Sequence, residues 1–261
     1  MMTNAHLHYK DSFSYDDFTS QMVCLCAGDA DEWGAASSFA RAVNDSCGTR
    51  RCLVSAGVHP WSLESGETGA RNRERLLWQP QKLQPDLWLE QLLKENAADV
   101  AAVGECGIDL YTQELKSLLP AQLDVFEKQV ALAVRYEKPL VVHCRRSIQY
   151  FFKYRAELRK LPSVIFHAFP GTLSECESLL ENGLNAFFSF GKGVLRGGKK
   201  AAECVVNLPD NRLLLETDAE EAAPALLCDV FKIASELRGV PCEKLEELCA
   251  RNFCRAYCVK E

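Results

Sequence analysis

The chain has 261 residues, 48% of them hydrophobic and 25% charged, with a net charge of -6. These proportions are those of a folded globular protein rather than a disordered one, and no run approaches the roughly 18 apolar residues that a membrane-spanning helix needs. The negative balance excludes a protein that holds polynucleotide by its overall basic charge, so any nucleic-acid substrate must be gripped locally.

Met1–Tyr9 lacks the basic start and long apolar run of a secretory signal, which predicts a cytoplasmic protein. The 13 cysteines are odd in number and scattered, with no Cys-x-x-Cys pair, so they read as reduced, mostly buried thiols and not as a disulfide framework. The length suits one α/β barrel, which takes about 250 residues, and a single domain over residues 1–261 is expected.

Short apolar segments of strand character recur near Asn4–His8, Met22–Cys26, Cys52–Val58, Val100–Cys106, Pro139–His143, Val164–His167, Ala186–Phe190 and Arg212–Asp218. Each is followed by a helical or loop-like stretch, the alternation expected of parallel strands joined by crossovers. Residues 64–98 are largely polar, contain Pro80 and Pro85, and read as a helix with an extra loop. Leu123, Phe126, Val130, Ala133 and Val134 share one helical face, as do Leu173, Cys176, Leu179 and Leu180 before the stop signal Asn182-Gly183. The glycine-rich piece around Gly191-Lys192-Gly193 fits no phosphate-binding pattern and is expected to be a flexible loop. Eight strands in this order predict an α/β fold of the (β/α)8 TIM-barrel type.

The chain has five histidines, His6, His8, His59, His143 and His167. All lie at or just beyond the C-terminal end of a predicted strand, and in such a barrel those ends converge on one rim. A lone histidine at one such position would fit a structural role, but five on matching positions point to a shared site. The strand period of two aims His6 and His8 to one face, so they can grip one ion together. Glu105 closes an apolar strand, where a carboxylate is costly to bury without a positive partner; its two oxygens can bridge two cations about 3.5–4 Å apart. His143 and His167 each end an apolar strand and suit a second ion. Asp218 ends the eighth strand, where it can bind the first ion and accept a proton from water, making it the candidate general base.

As an ordered set, Asn4-Ala5-His6-Leu7-His8, Gly57-Val58-His59-Pro60-Trp61, Gly104-Glu105-Cys106-Gly107-Ile108-Asp109, Val141-Val142-His143-Cys144-Arg145, Phe166-His167-Ala168-Phe169-Pro170-Gly171 and Leu215-Glu216-Thr217-Asp218 resemble the TatD family of metal-dependent deoxyribonucleases, in the amidohydrolase superfamily. The resemblance runs from the first strand to Arg251-Asn252-Phe253. It implies a barrel with two divalent metal ions per chain, magnesium or manganese in use and zinc or nickel as ions that crystals can capture, acting on DNA phosphodiesters. It also implies His6, His8, Glu105 and Asp218 around one ion and Glu105, His143 and His167 around the other, with His59 on the substrate phosphate or a bound water. Arg145 would neutralise a phosphate, or else form a surface salt bridge.

The chain departs from the family pattern in Asn4, where the family has an aspartate, and in Arg146, where it often has an acidic residue, changes that touch the orientation of the ligands. Ala219-Glu220-Glu221-Ala222-Ala223-Pro224 replaces a loop rich in Gly, Arg and Asn, and its acidity would repel a polyanion. The leading expectation is a deoxyribonuclease with Asp218 and Glu105 as catalytic residues. The alternative keeps the metal centre and changes the substrate to a carboxyl ester, amide or aminoacyl-tRNA linkage, since fold and metal do not choose the leaving group. A non-catalytic barrel is the third reading, disfavoured because every expected ligand is present. No membrane and no obligate protein partner is inferred.

Overall fold

In the computed structural model, residues 1–63, 87–219 and 224–260 are described. The extra loop expected within 64–98 lies, up to residue 86, outside the described residues, as do residues 220–223 of the acidic stretch; the helical part of the first expectation is met by the helix Leu87–Asn96.

The strands are β1 (Thr3–His8), β2 (Met22–Ala27), β3 (Cys52–Ala56), β4 (Val100–Asp109), β5 (Leu140–Arg145), β6 (Val164–Phe166), β7 (Ala186–Phe190) and β8 (Leu213–Leu215). They form one sheet in the order β1 to β8, every pair parallel. Closure comes at the far ends of β1 and β8, where Asp218 N donates to His6 O at 3.2 Å and His8 N to Ala219 O at 3.2 Å. The result is the expected TIM barrel, with helices in the crossovers.

The period-two pattern sorts the strand residues into two layers. Ala5, Cys24, Leu53, Ala101, Val141, Ile165, Phe187 and Leu214, at least one from every strand, pack together in the interior with Phe253, Cys254 and Tyr257 of the C-terminal segment. Their alternate neighbours, such as Val23, Val54, Val142, Phe166 and Phe188, face outward into the larger core under the helices. The helix Cys242–Ala256 seals the N-terminal end of the barrel: Asn252 Nδ2 donates to Leu213 O at 2.8 Å, and Tyr257 Oη to Ala5 O at 2.6 Å. With that end filled, the opposite mouth is left for chemistry.

The ladder is irregular between Asn4 and Leu7 on β1 and between Val103 and Cys106 on β4. Such slips re-aim side chains and gather beside active sites. Here they fall on the strands carrying His6, His8 and Glu105. Ala5 belongs to the interior layer while His6 also faces into the barrel, which an unbroken two-residue period would forbid.

Several expectations are corrected. Neither Glu105 nor His143 ends its strand, because β4 continues to Asp109, buried throughout, and β5 to Arg145, whereas β8 stops at Leu215 and Asp218 lies beyond it. The Gly191-Lys192-Gly193 piece is not a flexible loop: Lys192–Leu195 forms a helical turn. Gly191 packs so tightly on the segment just after β8 that a Cβ would lie 2.3 Å from Glu216 O, and this contact seats the turn.

Candidate metal centre

Glu105 stands at the middle of the barrel mouth, 2% exposed, with imidazoles on both of its oxygens. Its Oε1 lies 2.6 Å from His143 Nδ1, 2.6 Å from His167 Nε2 and 3.1 Å from His59 Nε2. Its Oε2 faces the other way, 3.2 Å from His6 Nε2 and 3.6 Å from His8 Nε2. Asp218 Oδ1 is 3.6 Å from His8 Nε2. All five histidines and both carboxylates named from the sequence therefore meet. No lysine or arginine forms an ion pair with Glu105 among the described residues, which leaves imidazoles as its positive partners.

Arg145 stands apart from this cluster. Its guanidinium lies over the Tyr111 ring, 3.6 Å from the centroid, and 4.0 Å from Asp109 Oδ2.

A set of buried polar residues that the sequence reading assigned no role holds these groups in place. Asp109 Oδ2 lies 2.9 Å from His143 Nε2 and accepts from Trp61 Nε1 at 2.8 Å, while Oδ1 accepts from Tyr111 N at 2.7 Å. Glu216 Oε1 accepts from Ala168 N at 2.7 Å and lies 3.6 Å from His167 Nδ1. Gln129 accepts from Val58 N at 2.7 Å and donates to Val58 O at 3.1 Å, fixing the backbone just before His59. Gln122, seven residues earlier on the same helix, does the same for Asp109 with bonds of 2.8 Å and 3.1 Å. Two buried glutamines at i and i+7 on an otherwise apolar helix face are the signal that could have found them.

Asn4, in the family's aspartate position, accepts from Thr217 N at 3.0 Å and donates to Thr217 Oγ1 at 2.9 Å. It pins β1 to the segment that carries Asp218. Cys26 Sγ accepts from Glu105 N at 3.2 Å and joins the ring around the first face of the site. Lys192 donates to Asp218 O and holds its ammonium 3.5 Å from Asp218 Oδ2.

The electrostatics follow from this crowding. Burial disfavours the charged form of Glu105, but the neighbouring His167, His59, His6 and His143 outweigh it and hold the carboxyl well below its usual range. Asp218 is likewise held low: burial opposes ionisation, and the hydrogen bond with His8 and the fields of His167 and His6 win. Burial depresses His6, helped by His167. It also takes His59 down to about 4 against the pull of Glu105. His167 is pushed well above its ordinary value, because Glu105 and Glu216 outweigh desolvation. His8 and His143 are raised in the same way, by Asp218 and Glu105 and by Asp109 and Glu105.

The tautomer of His59 is set by its neighbours. The ring is neutral near pH 7, and its Nδ1 accepts from Trp61 N at 3.1 Å. The proton therefore sits on Nε2, which donates toward Glu105 Oε1.

The residues fit divalent cations. His6 Nε2 and Glu105 Oε2 are buried without a hydrogen bond although they face each other, and such orphans call for a further partner. Donor atoms lie within 4.8 Å of one another in three groups: His6, His8, Cys26 and Glu105; His6, His167 and Asp218; and His59, Glu105 and His143. Imidazole and carboxylate donors suit zinc, manganese and similar divalent ions. The three groups share members, so the cluster can hold metal at the barrel mouth.

Known proteins resemble this chain over most of its length. Residues 19–258 match the family model described as TatD related DNase. The chain is 33% identical over 194 residues to the 3'-5' ssDNA/RNA exonuclease TatD of Edwardsiella piscicida, a match covering 73% of this chain and 65% of that protein. It is 30% identical over 227 residues to the protein of that name from Erwinia billingiae, covering 79% of each. Several of the relatives are thus matched over only about 65% of their length. Among solved structures, the Escherichia coli TatD homolog YJJV superposes with a TM-score of 0.78 at 21% identity, over 99% of this chain and 98% of that one. An uncharacterized amidohydrolase from Saccharomyces cerevisiae gives 0.69 at 16%, over 98% and 99%. At these identities the two structures speak for the fold.

Proposed function

The chain belongs to the TatD-related DNase family, and we propose that it is a metal-dependent nuclease hydrolysing DNA phosphodiesters at the mouth of its barrel. The observation that carries this reading is Glu105, whose two oxygens face two different sets of imidazoles. A carboxylate so placed could serve two cations at once.

His6, His8, Glu105 and Asp218 would hold one ion and Glu105, His143 and His167 the other, with magnesium or manganese as the working metals. His143 supports its assignment through its second nitrogen, which faces the Asp109 carboxylate as metal-binding histidines commonly do. His59 supports a different role. A ring with its proton on Nε2 presents a donor to the site, suited to a phosphate oxygen or a water and unsuited to binding metal through that atom.

When bound, two divalent ions polarise a phosphoryl oxygen and make water nucleophilic near neutral pH. Asp218, held ionised between His8 and Lys192, accepts the water's proton. His59 and Arg145 orient the phosphodiester, and Glu105, buried at 2% exposure, keeps the two sets of imidazoles in register.

The test is a metal-supplemented assay on single-stranded DNA, duplex DNA, and a panel of carboxyl esters, amides and aminoacyl-tRNA, with the metal content of the same sample quantified. DNA hydrolysis that depends on added magnesium or manganese, with about two ions per chain, is expected. Intact DNA beside rapid hydrolysis of another ester overturns the nuclease reading and leaves the metal centre standing.

A further inference from the structure

Trp61 and Tyr111 are the large aromatic side chains left exposed beside the metal centre, at 42% and 47%. Exposure of an indole costs hydrophobic free energy, and this one is also held rigidly. Its Nε1 donates to the buried Asp109 carboxylate, and its backbone N–H fixes the His59 ring. The indole lies 5.0 Å from the His59 ring and 6.1 Å from that of His143, both at steep angles. Among the described residues no aromatic ring is stacked on it. Its place is therefore set by the same Asp109 that sets His143, with 6.1 Å between the two ring centroids.

Tyr111 differs. Its backbone N–H is held by the other oxygen of Asp109. Its ring carries two guanidiniums, Arg145 at 3.6 Å and Arg146 at 4.7 Å from the centroid. It gathers a pair of cations on a chain whose net charge is -6.

We infer that Trp61 is a base-stacking subsite that seats an unpaired nucleobase next to the scissile phosphate, while Tyr111 holds Arg145 and Arg146 against the adjoining phosphates. An indole face accepts any base and requires that base to be out of a duplex stack. The paired arginines supply the local positive charge that the chain as a whole lacks. Asp109 is the positioning residue that couples this platform to His143. The inference rests on the nuclease reading above and adds the residues that seat the base and the adjoining phosphates.

The experiment compares a single-stranded oligothymidylate with a strand of the same length in which every nucleotide is abasic, so that phosphates are matched and only bases differ. Dissociation constants are read by fluorescence anisotropy in EDTA, where no cleavage intervenes. The wild type binds the base-bearing strand about tenfold more tightly. Trp61→Ala brings that ratio near one, and Trp61→Phe keeps most of it. Tyr111→Ala weakens both strands alike. Equal binding of the two strands by the wild type, no binding of either, or a ratio preserved in Trp61→Ala overturns the stacking subsite. A Tyr111→Ala variant that binds as the wild type does overturns the arginine clasp. Hydrolysis of the oligothymidylate by the manganese-supplemented wild type is read in parallel. If it proceeds while the ratio is one, only this inference falls; if the strand stays intact, the nuclease reading falls.

Discussion

Asp109 Oδ2 lies 2.9 Å from His143 Nε2, on the far side of the imidazole from Glu105. The aspartate is fully buried, and its carboxyl is held low because His143, Trp61 and the Tyr111 backbone outweigh the cost of burial. It therefore keeps the proton of His143 on Nε2 and leaves Nδ1 for a cation. Replacing Asp109 with Asn removes the charge that sets this tautomer. Metal affinity is expected to fall about 10–100-fold, the usual effect of losing such a partner, as measured by metal titration of the purified variant. Unchanged affinity would show that His143 does not depend on Asp109.

Asp218→Asn keeps an oxygen for the metal and loses the proton acceptor. Turnover is expected to drop by about 10²–10⁴-fold with metal content retained. Near-normal rates at normal metal content would remove Asp218 as the base.

Metal uptake should release protons. His8, His143 and His167 are raised above the ordinary imidazole value in the metal-free site, so they hold protons to a higher pH than free imidazoles do, and a cation must displace those protons. Affinity is then lowest in acid and rises with pH until these groups are neutral. Isothermal titration in buffers of different ionisation enthalpy reads the number released, and a heat independent of the buffer would contradict the assignment.

The same shifts act on folding of the metal-free protein. Glu105 and Asp218 are depressed, so their contribution is present above the usual carboxylate range and is lost as pH falls through it. That of raised His167 is present below about 6.5 and lost as pH rises through its folded value. Chelated protein should thus lose stability on the alkaline side of neutrality as well as in acid, while metal-loaded protein loses it only in acid. Denaturation midpoints across pH, with and without EDTA, check this, and parallel curves for the two forms would refute it.

Gln129→Leu fits the space but leaves Val58 N–H and C=O buried without partners. Each unpaired group costs about 1–3 kcal/mol, so a loss of about 2–6 kcal/mol is expected in urea denaturation. A loss below about 1 kcal/mol would mean that water replaces the amide.

What the sequence determined by itself is local in origin. The eight apolar segments, the helical faces at Leu123–Val134 and Leu173–Leu180, and the placing of five histidines near strand ends all follow from periodicities of two and 3.6 along a short window. Parallel strands with crossovers then leave one rim where those ends gather, so the residues that meet there could be named before any coordinates.

The tertiary structure decided what depends on residues far apart in the chain. Asp109 and Glu216 stand in motifs quoted from the sequence, but their contacts with His143, Trp61 and His167, like that of Cys26 with Glu105, join residues far apart in the chain and are not marked by their neighbours along it. Lys192 reaches Asp218 because Gly191 packs against Glu216, turning an expected loop into a helical turn. The slips in β1 and β4 that bring His6 beside Ala5's layer and carry Glu105 inward are fixed by the register against neighbouring strands. Hydrogen bonding between strands is set only once the barrel closes, and that closure lies beyond the reach of any local pattern.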